Sequence, residues 1–136
     1  MATGFVARGA MTVLAADDQA ENILLLESLI ESQGFTFFGA ASGAACLGLA
    51  QRLAPKLILL DVQMPGMDGF ETCRRLRAVP SLRTVPVAFL TARKSAADVQ
   101  AGIAAGGDDF IVKPFDAAKL LGRVMHWTGR RAPDAA

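Results

Sequence analysis

Five polar side chains in this sequence stand immediately after short apolar runs. Asp17 and Asp18 follow Val13-Leu14-Ala15-Ala16, Asp61 follows Leu57-Ile58-Leu59-Leu60, Thr91 follows Val87-Ala88-Phe89-Leu90, and Lys113 follows Phe110-Ile111-Val112. Brought together, they would place three carboxylates, a hydroxyl and an ammonium in one site. Carboxylates held close repel one another, so such a site favours a bound cation or raised pKa values. Hard oxygen ligands with room for water suit Mg²⁺. A carboxylate is also a nucleophile toward phosphorus and gives an acyl phosphate. The metal and the lysine would neutralise the charge of the transferring group, and the hydroxyl could hydrogen-bond its oxygens. The constellation reads as a phosphoacceptor site with its own metal.

Whether these residues meet depends on the elements that carry them. The four runs, with Phe35-Thr36-Phe37-Phe38, do not alternate apolar with polar, which suits strands buried on both faces of a parallel sheet. Between them lie segments with helical spacing: Ile23, Leu26 and Ile30; Cys46, Leu49 and Leu53; Phe70, Cys73 and Leu76; Val99 and Ile103; and Leu120, Leu121, Val124 and Met125. Ser42, Ser95 and Asp116 are expected N-caps, and Asp68-Gly69 are expected to shape a loop and cap the third helix. Gly34 is expected at the left-handed C′ position after the first helix, and Gly106-Gly107 at the end of the fourth. Pro55, Pro86 and Pro114 sit at element edges.

The pattern is (βα)₅. Right-handed crossovers place helices on both faces of a five-stranded parallel sheet. Five strands fit the flavodoxin-like order 2-1-3-4-5, in which ligands bind outside the carboxyl ends of the strands. Strands 1, 3, 4 and 5 are then consecutive neighbours, and Asp17, Asp18, Asp61, Thr91 and Lys113 converge on one crevice.

Composition agrees with a compact α/β domain. The chain has 136 residues, 52% hydrophobic and 20% charged, with 14 basic against 13 acidic side chains and a net charge of +1. That balance leaves no footprint for nucleic acid or an anionic membrane. No apolar run approaches the ~20 residues of a membrane span. Cys46 and Cys73 have neither metal-ligand spacing nor a disulfide framework, and are expected as small buried hydrophobes in a reducing compartment. A cytoplasmic domain over residues 11–128 is expected, with a flexible leader at 1–10 and a flexible tail at 129–136.

The motifs Val13-Leu14-Ala15-Ala16-Asp17-Asp18, Leu57–Gly69 with its Asp61-Val62-Gln63-Met64-Pro65-Gly66 core, Leu90-Thr91-Ala92 and Asp108–Phe115 resemble, in order and spacing, the receiver domain of bacterial two-component response regulators. The resemblance covers Met11 to about Trp127. It implies that Asp61 is the phosphorylated aspartate. It implies that Asp18, Asp61 and the backbone carbonyl of Gln63 ligate Mg²⁺, with Asp17 acting largely through bound water. Lys113 would pair with Asp61 and then with the phosphoryl group; Thr91 would swing toward that group and Phe110 would move inward as a switch. A cis Lys113–Pro114 bond is expected, and Gln63 and Arg93 would tune hydrolysis of the acyl phosphate. The implied donor is a histidine kinase or phosphotransfer protein. The implied readout is a downstream protein, or a fused output domain, on the face of the fourth helix, fifth strand and fifth helix, with no direct nucleic-acid binding and no membrane insertion.

Such a chain is a switch rather than an enzyme, catalysing only its own phosphoryl transfer and dephosphorylation. Three other readings remain in view. A haloacid-dehalogenase-type phosphatase would want an acid two residues after Asp61, where Gln63 stands. A flavodoxin would want a Ser/Thr-rich phosphate loop where Asp17-Asp18 would repel phosphate. A phosphorylation-independent receiver-like binding module would usually have lost one of the five residues. Asp108-Asp109 are expected as turn residues at the far end of the sheet, His126 as solvent-facing, and Trp127 as a packing or partner contact.

Overall fold

The computed structural model describes residues 11–92 and 94–130; the expected leader at 1–10, the end of the expected tail and Arg93 lie outside these residues. The elements run β1 (Thr12–Ala16), α1 (Ala20–Glu31), β2 (Thr36–Ala40), α2 (Gly43–Leu53), β3 (Leu57–Asp61), α3 (Gly69–Ala78), β4 (Val87–Thr91), α4 (Ala96–Ala104), β5 (Asp109–Val112) and α5 (Ala117–Thr128), with one 3₁₀ turn at Pro80–Leu82. The strands form one parallel sheet in the order β2-β1-β3-β4-β5. This is the flavodoxin-like (βα)₅ arrangement that the unalternating runs imply.

The pleat sorts side chains into two cores. Leu14, Ala16, Ile58, Leu60 and Phe89 face α2 and α3 through Cys46, Cys73 and Leu76. Val13, Ala15, Leu57, Leu59 and Leu90 face α1 and α5 through Leu26, Ile30, Leu120 and Val124. The central strands β1, β3 and β4 are buried along their whole length. Both cysteines are unpaired and buried, and burial pushes the Cys46 thiol up to about 12 and that of Cys73 up to about 11.

Local chemistry fixes the helix starts. Ser42, Asp68, Ser95 and Asp116 each accept a hydrogen bond from the backbone N–H three residues on, at 2.8–3.1 Å. Each such cap contributes about 1 kcal/mol. The ends differ more from expectation. α1 stops at Glu31 with Ser32 as its C-cap, so Gly34, at φ +87°, serves the turn that follows rather than the C′ position. In α4, Ile103 of the expected apolar stripe is 66% exposed, and the one buried residue of the helix is Gly102. A hydrophobic-spacing argument does not register a glycine. At the other end, Arg130 of the expected tail stacks its guanidinium 4.7 Å from the centroid of the Phe35 ring.

Arg77 ties the bottom of the domain together. From α3 it donates to the carbonyls of Gly106, Leu82 and Val85 at 2.6–3.0 Å and to the Asp108 carboxylate at 3.0 Å. Asp108 in turn accepts the Val87 N–H at 2.9 Å. Nothing in the local pattern announces this, because the partners lie up to 31 residues away. Arg77→Ala should cost about 2–3 kcal/mol, because it strands half-buried carbonyls and a carboxylate. Arg77→Lys should recover little of that, because an ammonium cannot reproduce the guanidinium fork. Urea denaturation of the two variants checks both values.

Candidate functional site

The carboxyl ends of β1, β3, β4 and β5 meet at one edge of the sheet. Asp17 follows β1 directly, with its backbone N–H on the Ala40 carbonyl at 3.0 Å. Asp61 and Thr91 are the last residues of β3 and β4, one position further into the sheet than a residue after the strand would be, and each is 7% exposed. Lys113 follows β5, with its N–H on the Thr91 carbonyl at 2.7 Å and a cis bond to Pro114. Asp18 is exposed beside Asp17.

Lys113 organises the site. Its Nζ donates to Asp17 Oδ2 at 3.0 Å and to Asp61 Oδ1 at 3.1 Å. The Asp17 side chain is fully buried, so every lone pair without a donor would be costly. Its Oδ1 accepts the Gln19 N–H at 2.9 Å, and its Oδ2 also accepts from the Asn22 amide at 3.0 Å. Asn22 was not legible beforehand: the only hint is a polar residue in the first turn of the helix that follows the paired acids. Asp17 therefore supports the start of α1 through the Gln19 N–H, although the N-cap itself is Gln19.

Asp61 is held more loosely. Burial raises its pKa, the neighbouring Asp17 charge raises it further, and Lys113 and the Gln63 N–H pull it down without cancelling the rise. Lys113 shows the complementary balance. Burial disfavours its charge, but hydrogen bonds and charge from Asp17 and Asp61 win, and its pKa is raised. One ammonium thus serves two carboxylates, while Asp18 adds a third. Oxygens of Asp17, Asp18 and Asp61 all lie within 4.8 Å of one another, close enough to hold one metal ion. The backbone packs tightly behind them: a Cβ on Gly69, at the start of α3, would lie 2.3 Å from the Asp61 carbonyl oxygen. The loop from Val62 to Asp68 therefore folds back directly over the end of β3.

Other candidates fall elsewhere. Phe110 is buried, with its ring 5.3 Å from that of Phe89, so it occupies an inward place here. Asp108 and Asp109 lie at the opposite end of the sheet, as expected, but Asp109 is the first residue of β5 rather than a plain turn residue. Its carboxylate accepts from Arg123, from the Phe110 N–H at 2.8 Å and from Trp127 Nε1 at 2.8 Å. Burial alone would raise its pKa; those donors outweigh it and leave the pKa low. This resolves Trp127 as an intramolecular contact. His126 is exposed and packs edge-on to Trp127.

Residues 13–125 match the family model described as the response regulator receiver domain. The chain belongs to that family. It is 40% identical over 116 residues to the response regulator PleD of Caulobacter vibrioides, an alignment that takes 85% of this chain and 26% of PleD. The chain thus spans about a quarter of that relative's length. The chemotaxis protein CheY4 of Vibrio cholerae superposes with a TM-score of 0.83 at 31% identity, covering 88% of this chain and 98% of CheY4. The receiver domain of the sensor histidine kinase PA1611 from Pseudomonas aeruginosa, solved with a magnesium ion in its active-site cleft, gives 0.81 at 30% identity, covering 88% of this chain and 98% of that one. Receiver domains of this family serve as signalling switches in two-component systems, and the acidic pocket of Asp17, Asp18 and Asp61 fits a phosphoacceptor site. No helix among the described residues is long and apolar enough to cross a membrane.

The raised pKa of Asp61 has a sign. A carboxyl that keeps its proton to higher pH in the folded than in the unfolded chain stabilises the fold most at low pH. That stability is lost as pH rises through the folded pKa. At neutral pH and without metal, Asp61→Asn should therefore raise Tm, and that gain should shrink as pH falls and Asp61 of the wild type takes up its proton. Added Mg²⁺ should raise the Tm of the wild type, by the equivalent of about 2.7 kcal/mol at a hundred times Kd, and that of the variant by less. Thermal melts at stepped pH, with and without Mg²⁺, check both; a lower Tm for metal-free Asp61→Asn would contradict them.

Proposed function

We propose that this chain is a phosphoacceptor switch in which Asp61 takes a phosphoryl group from a histidine kinase or phosphotransfer protein. The observation that carries the reading is the Lys113 ammonium shared between Asp17 and Asp61 at 3.0 and 3.1 Å. It leaves Asp61 ionisable, facing a cation, and at the open edge of the sheet.

In the transfer, an Asp61 carboxylate oxygen forms a bond to phosphorus as the bond to the donor's imidazole nitrogen breaks. The electron pair of the broken bond leaves with that nitrogen. Hydrolysis reverses the state: water attacks phosphorus, inorganic phosphate departs, and the carboxylate is restored. Lys113 turns from Asp61 toward the new phosphoryl oxygens, and the Thr91 hydroxyl, at the end of the adjacent strand, closes on them. Asp18, Asp61 and the Gln63 backbone carbonyl would hold Mg²⁺ directly, and the ion would supply positive charge to offset that of the transferring group. Asp17 would serve that ion through water, because its own oxygens are engaged by Gln19, Asn22 and Lys113.

A protein donor suits the surroundings. Leu24 and Leu25 of α1 are 63% and 44% exposed, and Leu24 lines a cavity of about 310 Å³ that also reaches Asp17 and Asp18. An apolar shelf beside a charged site fits a docking protein better than a small anion. The other end of the signal is read on the face of α4, β5 and α5, where Val112 is 45% exposed at the rim of a groove of about 820 Å³. Buried, unpaired cysteines suit a reducing cytoplasm.

The experiment is intact mass after brief incubation with Mg²⁺ and a small acyl-phosphate donor, with Asp61→Asn alongside. The expected result is a gain of one phosphoryl group that needs Mg²⁺ and is absent from the variant. A gain that persists in Asp61→Asn would place the acceptor elsewhere. No gain from the small donor, from a histidine kinase or from a phosphotransfer protein would leave a binding module independent of phosphorylation.

A further inference from the structure

We infer that Gly102 is a positioning residue: its missing side chain seats the Phe110 ring beneath α4, so that the ring and the helix move as one unit. α4 is thinly attached. Gly102 is its one buried residue, Val99 is only partly buried, and Ile103 points to solvent. Glycine in a helix interior is intrinsically unfavourable relative to alanine, so the position calls for a packing reason. The reason is contact. A Cβ on Gly102 would lie 2.4 Å from Cζ and 2.9 Å from Cε2 of Phe110, and 3.0 Å from Cε2 of Phe89. The helix backbone rests on the two rings, and no side chain larger than hydrogen fits while Phe110 is inward.

The rings form a row. Phe70 meets Phe89 edge-on at 5.0 Å, and Phe89 meets Phe110 at 5.3 Å. Gly107, just past α4, repeats the arrangement, with a Cβ there 2.1 Å from Phe89 Cε2. On its other side Phe110 lines the groove of about 820 Å³ bounded by Val112, Lys119, Arg123 and Trp127. A methyl group at position 102 would occupy the place of the ring's edge, push the ring toward this groove and lift α4 from its seat.

A double-mutant cycle separates this from an ordinary helix effect. Gly102→Ala alone should lower Tm by several degrees, shift the emission of Trp127, the chain's one tryptophan, and speed amide exchange in α4. In a Phe110→Ala background the same substitution should raise Tm or leave it unchanged, with no shift in Trp127 emission. There the two closest clashes are gone, and Phe89 Cε2, 3.0 Å from the methyl position, needs to give by a few tenths of an ångström. If Gly102→Ala alone fails to fold, rescue of folding by Phe110→Ala carries the same meaning. Equal effects in both backgrounds, or failure of both variants to fold, would overturn the assignment. None of these readouts involves phosphorylation, so they stand or fall separately from the role of Asp61.

Discussion

One ammonium between two carboxylates sets the terms for the rest of the molecule. Unit charges 4 Å apart interact by about 4 kcal/mol at the effective dielectric of a protein edge. Asp17, Asp18 and Asp61, with oxygens within 4.8 Å of one another, would therefore push the sheet edge open if left alone. Three devices contain them. Asp17 is buried, and is tolerable only because Gln19, Asn22 and Lys113 all donate to it. Asp18 stays in solvent, where its charge is hydrated. Asp61 receives what remains of Lys113 and the Gln63 N–H, which does not suffice to bring its pKa back to the ordinary value. The residual imbalance sits on Asp61, where a bound cation would relieve it.

The same imbalance explains why the site was legible before the fold was known. A charged or hydroxyl-bearing residue at the end of an apolar strand is costly unless the strand ends at a polar crevice. Asp17, Asp61, Thr91 and Lys113 all break their runs in this way. Parallel strands put those breaks at one edge, so the pattern of hydrophobicity and the carboxyl-end rule for open α/β sheets together bring the residues into one crevice, in the flavodoxin-like order that suits five strands. What it could not supply was the partner of each group. Asn22, Arg77 and the Asp109–Arg123–Trp127 cluster act through side-chain hydrogen bonds across 5 to 31 residues, with no period to mark them. Asp109 in particular reads in the sequence as a plain turn residue, because a short acidic pair before a strand has the same appearance whether or not a distant helix closes on it.

The fourth helix shows the opposite failure, in which the period is visible but only Val99 of its two residues packs on the core. Val99 and Ile103 mark a helix, and one exists at Ala96–Ala104. Its buried side is nevertheless centred on Gly102 rather than on Ile103, which is 66% exposed. A pattern of large apolar residues assumes that helices dock through side chains. Here the rings of Phe89 and Phe110 project from the sheet and the helix meets them with bare backbone. The docking surface is supplied by the strands, and the helix sequence records it only as an otherwise unfavourable glycine.

That geometry places two members of the site, Thr91 and Lys113, and the helix seat on the same two strands. Phe89 and Phe110 are paired across β4 and β5, and Thr91 and Val112 are paired two residues further on, where Lys113 follows. Whatever moves Thr91 or Lys113 at the sheet edge acts on short, stiff segments of chain, and the other end of each segment carries one of the rings beneath α4. Little needs to bend for the one to reach the other. A helix resting on the rings through a glycine cannot absorb a shift of Phe110 by rotating a side chain of its own at that contact, so the shift is passed to the position of the helix. The two strands thus run from Thr91 and Lys113 at the site to the rings beneath α4, whose types packing alone explains.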